Sequence, residues 1–396
     1  MTTVEQAEHI IQNQVRDYGT ELVPFDRSTG RVLAEDILAD RDMPPFNRVT
    51  MDGIAINYST YANGIRTFYI AATQAAGDKP VAVSDLNHCI EIMTGAVLPN
   101  WADTVIRYED VLISGNEAEV LVDTVNQGQN IHFKGRDKQQ GDVVVAKGRL
   151  INPSIISIIA SIGKTQVLVK KLPRVAIISS GDELVDVHQT PAPYQIRKSN
   201  NHTIKAVLQQ HGLNAGMLHI ADNAEQTRDA ISKCLANYDA ILLSGGISMG
   251  KFDYIPQALE QVGVRKIFHR VQQRPGKPFW FGADAKGVLI FAFPGNPVAT
   301  FMCLHRYFLP WLRAVMDLYE RPVYAMLAED FYFEPDLQYF LQVKTTVAPD
   351  ARLIATPLAG NGSGDFANLA DTDAFLELPA GRDEFEAGEV FRLWRF

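Results

Sequence analysis

The chain has 396 residues, 46% of them hydrophobic and 21% charged, with 37 Lys+Arg against 46 Asp+Glu and a formal net charge of −9 at pH 7. That balance excludes a general nucleic-acid binder, whose phosphate contacts need a basic surface, but not a local basic pocket for a small anion. At roughly 150 residues per domain the length implies two or three domains, enough to bury a core without staples.

In chain order, Thr2 and Glu5 have capping-box spacing, and Val4, Ala7, Ile11 and Val15 follow at helical spacing up to a stop at Gly19. A second short helix is expected around 30–39. At Met43-Pro44-Pro45-Phe46 the texture changes to short β-rich runs separated by turns, among them Ile90–Met93, Thr104–Arg107 and Ala118–Leu121. Asn152 then caps a helix with Pro153 at its first position, running through Ile155, Ile156, Ile158 and Ile159 to Gly163. Helices on both sides of the β-rich stretch imply one domain, 1–44 with 138–172, interrupted by a β-rich domain at 45–137.

From Arg174 apolar strands alternate with helices. The strands are Val175–Ile178, Met217–Ile220, Ala240–Leu243 and Val288–Phe293; the helices are Asn200–Gln210, Ala224–Asn237, Ile255–Gln261 and one from Val298. Fully apolar strands alternating with helices mean a mainly parallel sheet covered on both faces, here at 173–318. Beyond Tyr319, alternation such as Tyr339–Val343 and Phe375–Leu378 marks a small β-rich domain at 319–396. The fold class is therefore multidomain, α/β plus β.

Cys89, Cys234 and Cys303 are far apart, odd in number and form no CxxC, so they read as free thiols in a reducing compartment. The opening MTTVEQAEHI is no signal peptide. No apolar stretch approaches the ~18 residues a membrane span needs, so a cytoplasmic location is expected. The nine histidines include no HExxH or HxH, which speaks against a histidine-based metal site.

In open α/β sheets, ligands bind outside the carboxyl ends of the strands. Those ends carry Ser179-Ser180-Gly181-Asp182-Glu183, Asp222, Ser244-Gly245-Gly246 and Pro294-Gly295-Asn296-Pro297. Glycines let backbone approach a ligand, and helix N-termini offer N–H donors to an oxyanion. No turn is GxGxxG, GxxxxGK[ST] or GxSxG, which removes the main support for dinucleotide, P-loop and hydrolase-elbow readings. Arg270, Arg274 and Lys277 sit on a segment stiffened by Pro275 and Pro278 and suit a phosphate or another oxyanion. Asp52, Asp137, Asp182, Glu183 and Asp253 offer the oxygen ligands that Mg²⁺ commonly shares with substrate phosphates. The residues alone give an α/β enzyme acting on a phosphorylated or oxyanionic ligand.

Taken in order, these segments resemble the molybdopterin molybdenumtransferase (MoeA) family, which includes the gephyrin E domain. The matching stretches are Pro45-Phe46-Asn47 through Met51-Asp52-Gly53, Met93-Thr94-Gly95-Ala96, Gln129-Asn130 with Gly135-Arg136-Asp137, and Ser180-Gly181-Asp182-Glu183-Leu184. They continue with Ser244-Gly245-Gly246 and Asp253-Tyr254, Arg274-Pro275-Gly276-Lys277-Pro278, Pro294-Gly295-Asn296-Pro297, and Gly360-Asn361-Gly362-Ser363. The resemblance implies an interrupted N-terminal domain, an inserted β-rich domain, a molybdopterin-binding α/β domain and a C-terminal β-barrel-like domain. It implies a homodimer whose cleft joins the α/β and C-terminal domains of one subunit to the inserted module of the other.

The implied reaction is Mg²⁺-dependent insertion of molybdate into adenylylated molybdopterin, with release of AMP. Asp52, Asp137, Glu183 and Asp253 would be catalytic, and Asp182, Glu183 and Asp253 would hold the metal. Thr94, Ser180, Gly181, Asp182, Asp222, Ser244, Gly245, Gly246, Arg270, Arg274, Lys277, Pro294, Gly295, Asn296, Pro297 and Ser363 would bind substrate or anion. A molybdopterin-adenylylating protein and molybdoenzyme apoproteins are the candidate partners; nucleic acid and membrane are not. Arg270 and Arg274 stand where lysines are usual, Asn223 where an Asp is common, Ala299 where a Ser is usual, and Arg48-Val49-Thr50 where Asn-Ser-Ala is usual. These departures read as a divergent subfamily with the same activity. The alternatives are a non-catalytic molybdopterin-binding carrier or scaffold, and a molybdopterin adenylyltransferase, which the extra N-terminal modules oppose.

Overall fold

A computed structural model describes residues 1–221, 223–247, 254–358 and 366–396. The chain divides into two compact units, one of Met1–Glu21, Gly30–Val32 and Val169–Phe396, the other of Leu22–Thr29 and Leu33–Leu168.

The second unit is built on a six-stranded sheet. Its order is Thr104–Arg107, Gly53–Ile56, His88–Ile92, Thr67–Gln74, Glu117–Val120, Val111–Ser114. Only the Thr67–Gln74 and His88–Ile92 pair is parallel. Successive side chains of a strand point to opposite faces. Ile54 and Ile56 accordingly join one core with Phe68 and Cys89, while Ala55 joins another with Ile90 and Val105. Asn152 caps the helix Pro153–Ser161 through its Oδ1, which accepts from the Ile155 amide at 3.0 Å.

The helix expected around 30–39 does not form. The Leu33 and Ala34 amides instead donate to the Arg149 and Leu168 carbonyls, and the Ala39 amide to Asp142. Ile37–Leu38 pairs with Val143–Val145. Pairing with distant strands outweighs the weak local helical pattern.

In the first unit the N-terminal helix spans Val4–Gln12. Its capping box is Thr3 with Gln6, one residue later than the Thr2–Glu5 pair expected, and the helix ends at Asn13 rather than running on to Gly19. The central sheet has the order Gly216–Ile220, Val175–Ser180, Ala240–Ser244, Leu289–Phe293, Trp280–Ala283, Arg265–His269. The first four strands are parallel, and Trp280–Ala283 runs antiparallel to both of its neighbours. Both faces are covered: Ile177, Leu242 and Phe291 join one core, while Ile178, Leu243 and Ile290 join the other. The chain lays Gly216–Ile220 on one side of Val175–Ser180 and then crosses to lay Ala240–Ser244 on the other. That reversal is the topological switch point at which open α/β sheets bind ligands.

The last segment forms a closed barrel of five strands. Gln338–Val347 pairs with both Leu353–Pro357 and Ala374–Leu378, and Val323–Leu327 with Val390–Arg395 completes the ring. Leu341, Val343, Ala355, Leu376 and Leu393 fill its interior. Among the described residues no helix is long and apolar enough to cross a membrane.

Candidate functional site

The switch point brings three strand ends together. Ser179 stands in register with Ser244, and Ser244 with Phe293. Beyond them the chain turns through glycines whose positive φ other residues rarely adopt. A Cβ on Gly181 (φ +138°) would lie 2.4 Å from the Glu183 carboxylate, and one on Gly246 (φ +67°) would lie 2.6 Å from Ile255 Cδ1. Asn200 fixes the ends to one another. Its Nδ2 donates to Ser244 Oγ at 2.8 Å and to the Gly295 carbonyl at 2.9 Å. The resulting pocket is lined by Ser180, Glu183, Lys198, Asn200, Ser244 and Gly295 among others. The helix Asn200–Gln210 begins at its wall, and the Ser199 side chain makes no cap bond there. A helix start with uncapped N–H groups suits an anion.

A buried polar layer lies beneath. Asn201 Nδ2 donates to Ser179 Oγ at 2.8 Å, and the same hydroxyl lies 3.0 Å from His219 Nδ1. Burial lowers the His219 pKa, with Lys198 adding to the effect. Lys198 Nζ is paired with Asp186 at 2.9 Å. The Pro294–Pro297 turn is held by its own helix: Asn296 Oδ1 accepts from the Ala299 amide at 3.1 Å, and Thr300 Oγ1 donates to the Pro294 carbonyl at 2.6 Å.

The basic segment is braced. The Val271 amide bonds the Lys277 carbonyl and the Arg270 amide bonds the Phe279 carbonyl, while the Gln272 amide donates to Thr2. Gln273 is fully buried, donating through Nε2 to the Gly276 carbonyl at 3.2 Å and accepting the Tyr307 hydroxyl on Oε1. A Cβ on Gly276 would lie 2.7 Å from both Cys303 Sγ and Gln273 Nε2. Gln273 and Arg274 also pair with Gln338 and Tyr339 of the barrel, and the Arg274 guanidinium lies 5.7 Å from the Phe333 ring centre. Arg270, Arg274 and Lys277 are exposed on this rigid support.

The other unit holds two expected carboxylates, each in its own cluster. Asp52 Oδ1 accepts from the Thr94 amide at 2.6 Å and the Thr94 hydroxyl at 2.8 Å. These bonds hold its pKa below the usual carboxylate value, the backbone donor most strongly. Gly53 follows because a Cβ there would lie 1.9 Å from the Ile106 carbonyl oxygen. Asp137 is bonded by His132, whose Nε2 is 2.9 Å from Oδ1, and Arg48 Nη2 lies 3.1 Å from His132 Nδ1.

Asp222, Asp253 and Ser363 lie outside the described residues. Among the described residues no group of three or more His, Cys, Asp or Glu is gathered as a metal cage. All three cysteines are buried and free, and burial pushes the Cys89 thiol up to about 12. The residues that sequence reasoning missed are Lys198, Asn200, Asn201, His132, Gln273 and Tyr307. The cationic Arg197-Lys198 immediately before a helix start was the one available signal.

Sequence models of the MoeA N-terminal region (domain I and II), a probable molybdopterin binding domain and the MoeA C-terminal region (domain IV) match residues 2–163, 176–314 and 324–396. A protein of Synechocystis named molybdopterin molybdenumtransferase is 43% identical over 99% of both chains. The chain belongs to the molybdopterin molybdenumtransferase family. A second such transferase, from Staphylococcus epidermidis, is 33% identical over 93% of this chain and 89% of its own. The solved molybdopterin biosynthesis MoeA protein of Pyrococcus horikoshii superposes over the full length of both chains, with a TM-score of 0.81 and 25% identity.

Of the departures from the pattern usual in molybdopterin molybdenumtransferases, two sit at helix caps. Asn223 caps the helix Ala224–Asn237, its Oδ1 accepting from the Glu225 and Gln226 amides. Ala299 is buried and contributes its amide to the Asn296 cap.

Proposed function

We propose that this chain completes the molybdenum cofactor by converting adenylylated molybdopterin and molybdate to the molybdenum-loaded pterin, with release of AMP. The observation that carries the reading is the pairing, within one unit, of a glycine-lined switch-point pocket with a braced segment presenting Arg270, Arg274 and Lys277. In this reading Ser180, Gly181 and Ser244–Gly246 receive the pterin and its phosphate at short range. Lys198 and the start of the Asn200–Gln210 helix supply positive potential. Arg270, Arg274 and Lys277 hold molybdate or phosphate oxygens.

The phosphoanhydride bond breaks when water adds to phosphorus. AMP leaves with one phosphoryl group and the pterin keeps the other. Asp52 and Asp137 are the carboxylates we assign to positioning water and moving its proton. As the two dithiolene sulfurs bind molybdenum, molybdate oxygens leave as water with protons supplied by the dithiol and by solvent.

Asp182 and Glu183, with Asp253, would hold Mg²⁺. The described pair fits, because that ion needs only one or two carboxylates beside substrate phosphates and water. The Glu183 carboxylate also lies against Gly181, where a larger residue would displace it. When bound, the ion neutralises charge on the pyrophosphate. We further propose a cytoplasmic homodimer, which light scattering would report as twice 44.0 kDa.

The test is incubation with adenylylated molybdopterin, molybdate and Mg²⁺ while following AMP. Molybdate-dependent AMP release is expected. Tight substrate binding without AMP release would overturn the reading in favour of a carrier.

A further inference from the structure

The two-residue strands Arg48–Val49 and Ile131–His132 pair antiparallel, with Arg48 opposite His132. Arg48 Nη2 lies 3.1 Å from His132 Nδ1, and His132 Nε2 lies 2.9 Å from Asp137 Oδ1. A guanidinium has donors and no acceptor. Nδ1 must therefore accept, and the imidazole proton must sit on Nε2, where it is donated to Asp137. A doubly protonated ring would set an N–H against the guanidinium. The row Arg48, His132, Asp137 thus has one consistent direction of donation.

The contact is not forced by core packing, since the side chains of His132 and Asp137 are 23% and 58% exposed. The Asp137 backbone is pinned by its amide bond to the Met43 carbonyl. Its carboxylate is tied only by His132 among the described residues. Without that tie, an exposed carboxylate would sample several rotamers. With it, Oδ1 is fixed and Oδ2 is left to face a reactant.

We propose that Arg48 locks His132 in its neutral Nε2–H tautomer, and that His132 is a positioning residue holding the Asp137 carboxylate for the transferase reaction. This rests on the reading that gives Asp137 a part in that reaction. It also accounts for Arg48, which departs from the pattern usual in the family: the arginine is there to read the far nitrogen of His132.

The test uses the full-length chain labelled with ¹⁵N-histidine. In the wild type the His132 ring should show Nδ1 unprotonated and Nε2 protonated at neutral pH, and Arg48→Ala should remove that bias. In the AMP-release assay His132→Phe should lower kcat about ten- to hundredfold, the scale of a misplaced reacting group, with KM for adenylylated molybdopterin unchanged. His132→Gln should recover most of the rate, because its amide can accept from Arg48 and donate to Asp137. Wild-type spectra showing Nδ1 protonated, or an imidazolium, would overturn the tautomer lock even if His132→Phe fails to fold. Full activity in His132→Phe beside an inactive Asp137→Ala would overturn the positioning role. Full activity in Asp137→Ala would instead remove the role assigned to Asp137, and the lock would then stand or fall on the ¹⁵N spectra alone.

Discussion

Asn200 ties two strand ends through a single nitrogen, bonding Ser244 Oγ and the Gly295 carbonyl at 2.8 and 2.9 Å. One amide nitrogen carries two hydrogens and so satisfies both acceptors at once. Asn200→Ala should leave the fold intact and weaken adenylylated molybdopterin binding about tenfold, as expected for one or two hydrogen bonds. Asn200→Asp should be worse, because it can place a carboxylate oxygen against the Gly295 carbonyl. Calorimetric titration with each variant checks the order. Equal affinity for wild type and both variants would show that the tie does not shape the pocket.

Asp52 titrates below the usual carboxylate range because the Thr94 amide, and then its hydroxyl, stabilise the charged form. A carboxyl lowered in the folded state contributes stability that is complete above its unfolded pKa. That contribution is lost as pH falls through the folded value. Thr94→Val removes the hydroxyl and keeps the amide. The Asp52 midpoint should rise yet remain below that of an unpaired aspartate. A ¹³C carboxyl titration reads it directly, and an unchanged midpoint would dismiss the hydroxyl's share.

His305 is the buried group with the clearest pH signature. It lies in the π-helical turn Leu304–Phe308, with Nδ1 2.9 Å from the Phe301 carbonyl, so Nδ1 is the protonated nitrogen. Burial pushes its pKa down to about 4, Phe301 acting in the opposite direction. The unfolded chain, with a value near 6.5, therefore binds more protons between pH 6.5 and 4. Stability should be full above pH 6.5 and fall as pH drops through that window, by on the order of 3 kcal/mol. His305→Phe should flatten this part of the profile in urea unfolding measured from pH 7.5 to 4. A slope that persists in the variant would assign it to other groups.

The parallel strands were legible because each carries an almost unbroken apolar run, His219 aside, and their glycine-bearing ends marked the switch point. The antiparallel strands Arg265–His269 and Trp280–Ala283 were not, since the proline- and glycine-rich segment between them reads as loop. The helix expected at 30–39 lost to pairing with residues more than a hundred positions away. Closure of the barrel depends on Gln338–Val347 serving two barrel neighbours, which no local pattern records. The same distance effect hid parts of the candidate site. Asn200 meets partners 44 and 95 residues away, and His132 acquires its direction only when Arg48 lands opposite it.

Arg306 is 2% exposed, with Nη2 2.7 Å from Glu8 and 3.4 Å from Glu377. Its guanidinium carbon lies 4.5 Å from the Trp394 ring centre, and Trp394 Nε1 donates to the same Glu377 at 2.6 Å. Removing one member of a buried pair leaves the other charge uncompensated, which typically costs ~3–5 kcal/mol. Arg306→Ala should therefore lower the urea midpoint strongly. Arg306→Met with Glu377→Gln should lower it less than the two single changes added together. Additive losses would show that the two charges are not coupled.

Arg274 separates a structural role from an anion-binding one. Its backbone pairs with Tyr339 and its guanidinium lies over Phe333, but the side chain is exposed, so little packing depends on it. Arg274→Ala should remove a charge-assisted contact of ~1.5–3 kcal/mol, a ten- to hundredfold weakening of anion binding. The melting temperature should hardly move, since exposed charges contribute little to stability. Arg274→Lys should be milder, because the charge survives while the planar fork is lost. The measurement is AMP release against molybdate concentration for the three proteins. A rise in the half-saturating molybdate concentration in the order wild type, lysine, alanine supports contact with the oxyanion. Unchanged half-saturation and maximal rate in Arg274→Ala would leave the guanidinium as a solvated charge over an aromatic ring, and the anion would have to be held by Arg270 and Lys277 without it.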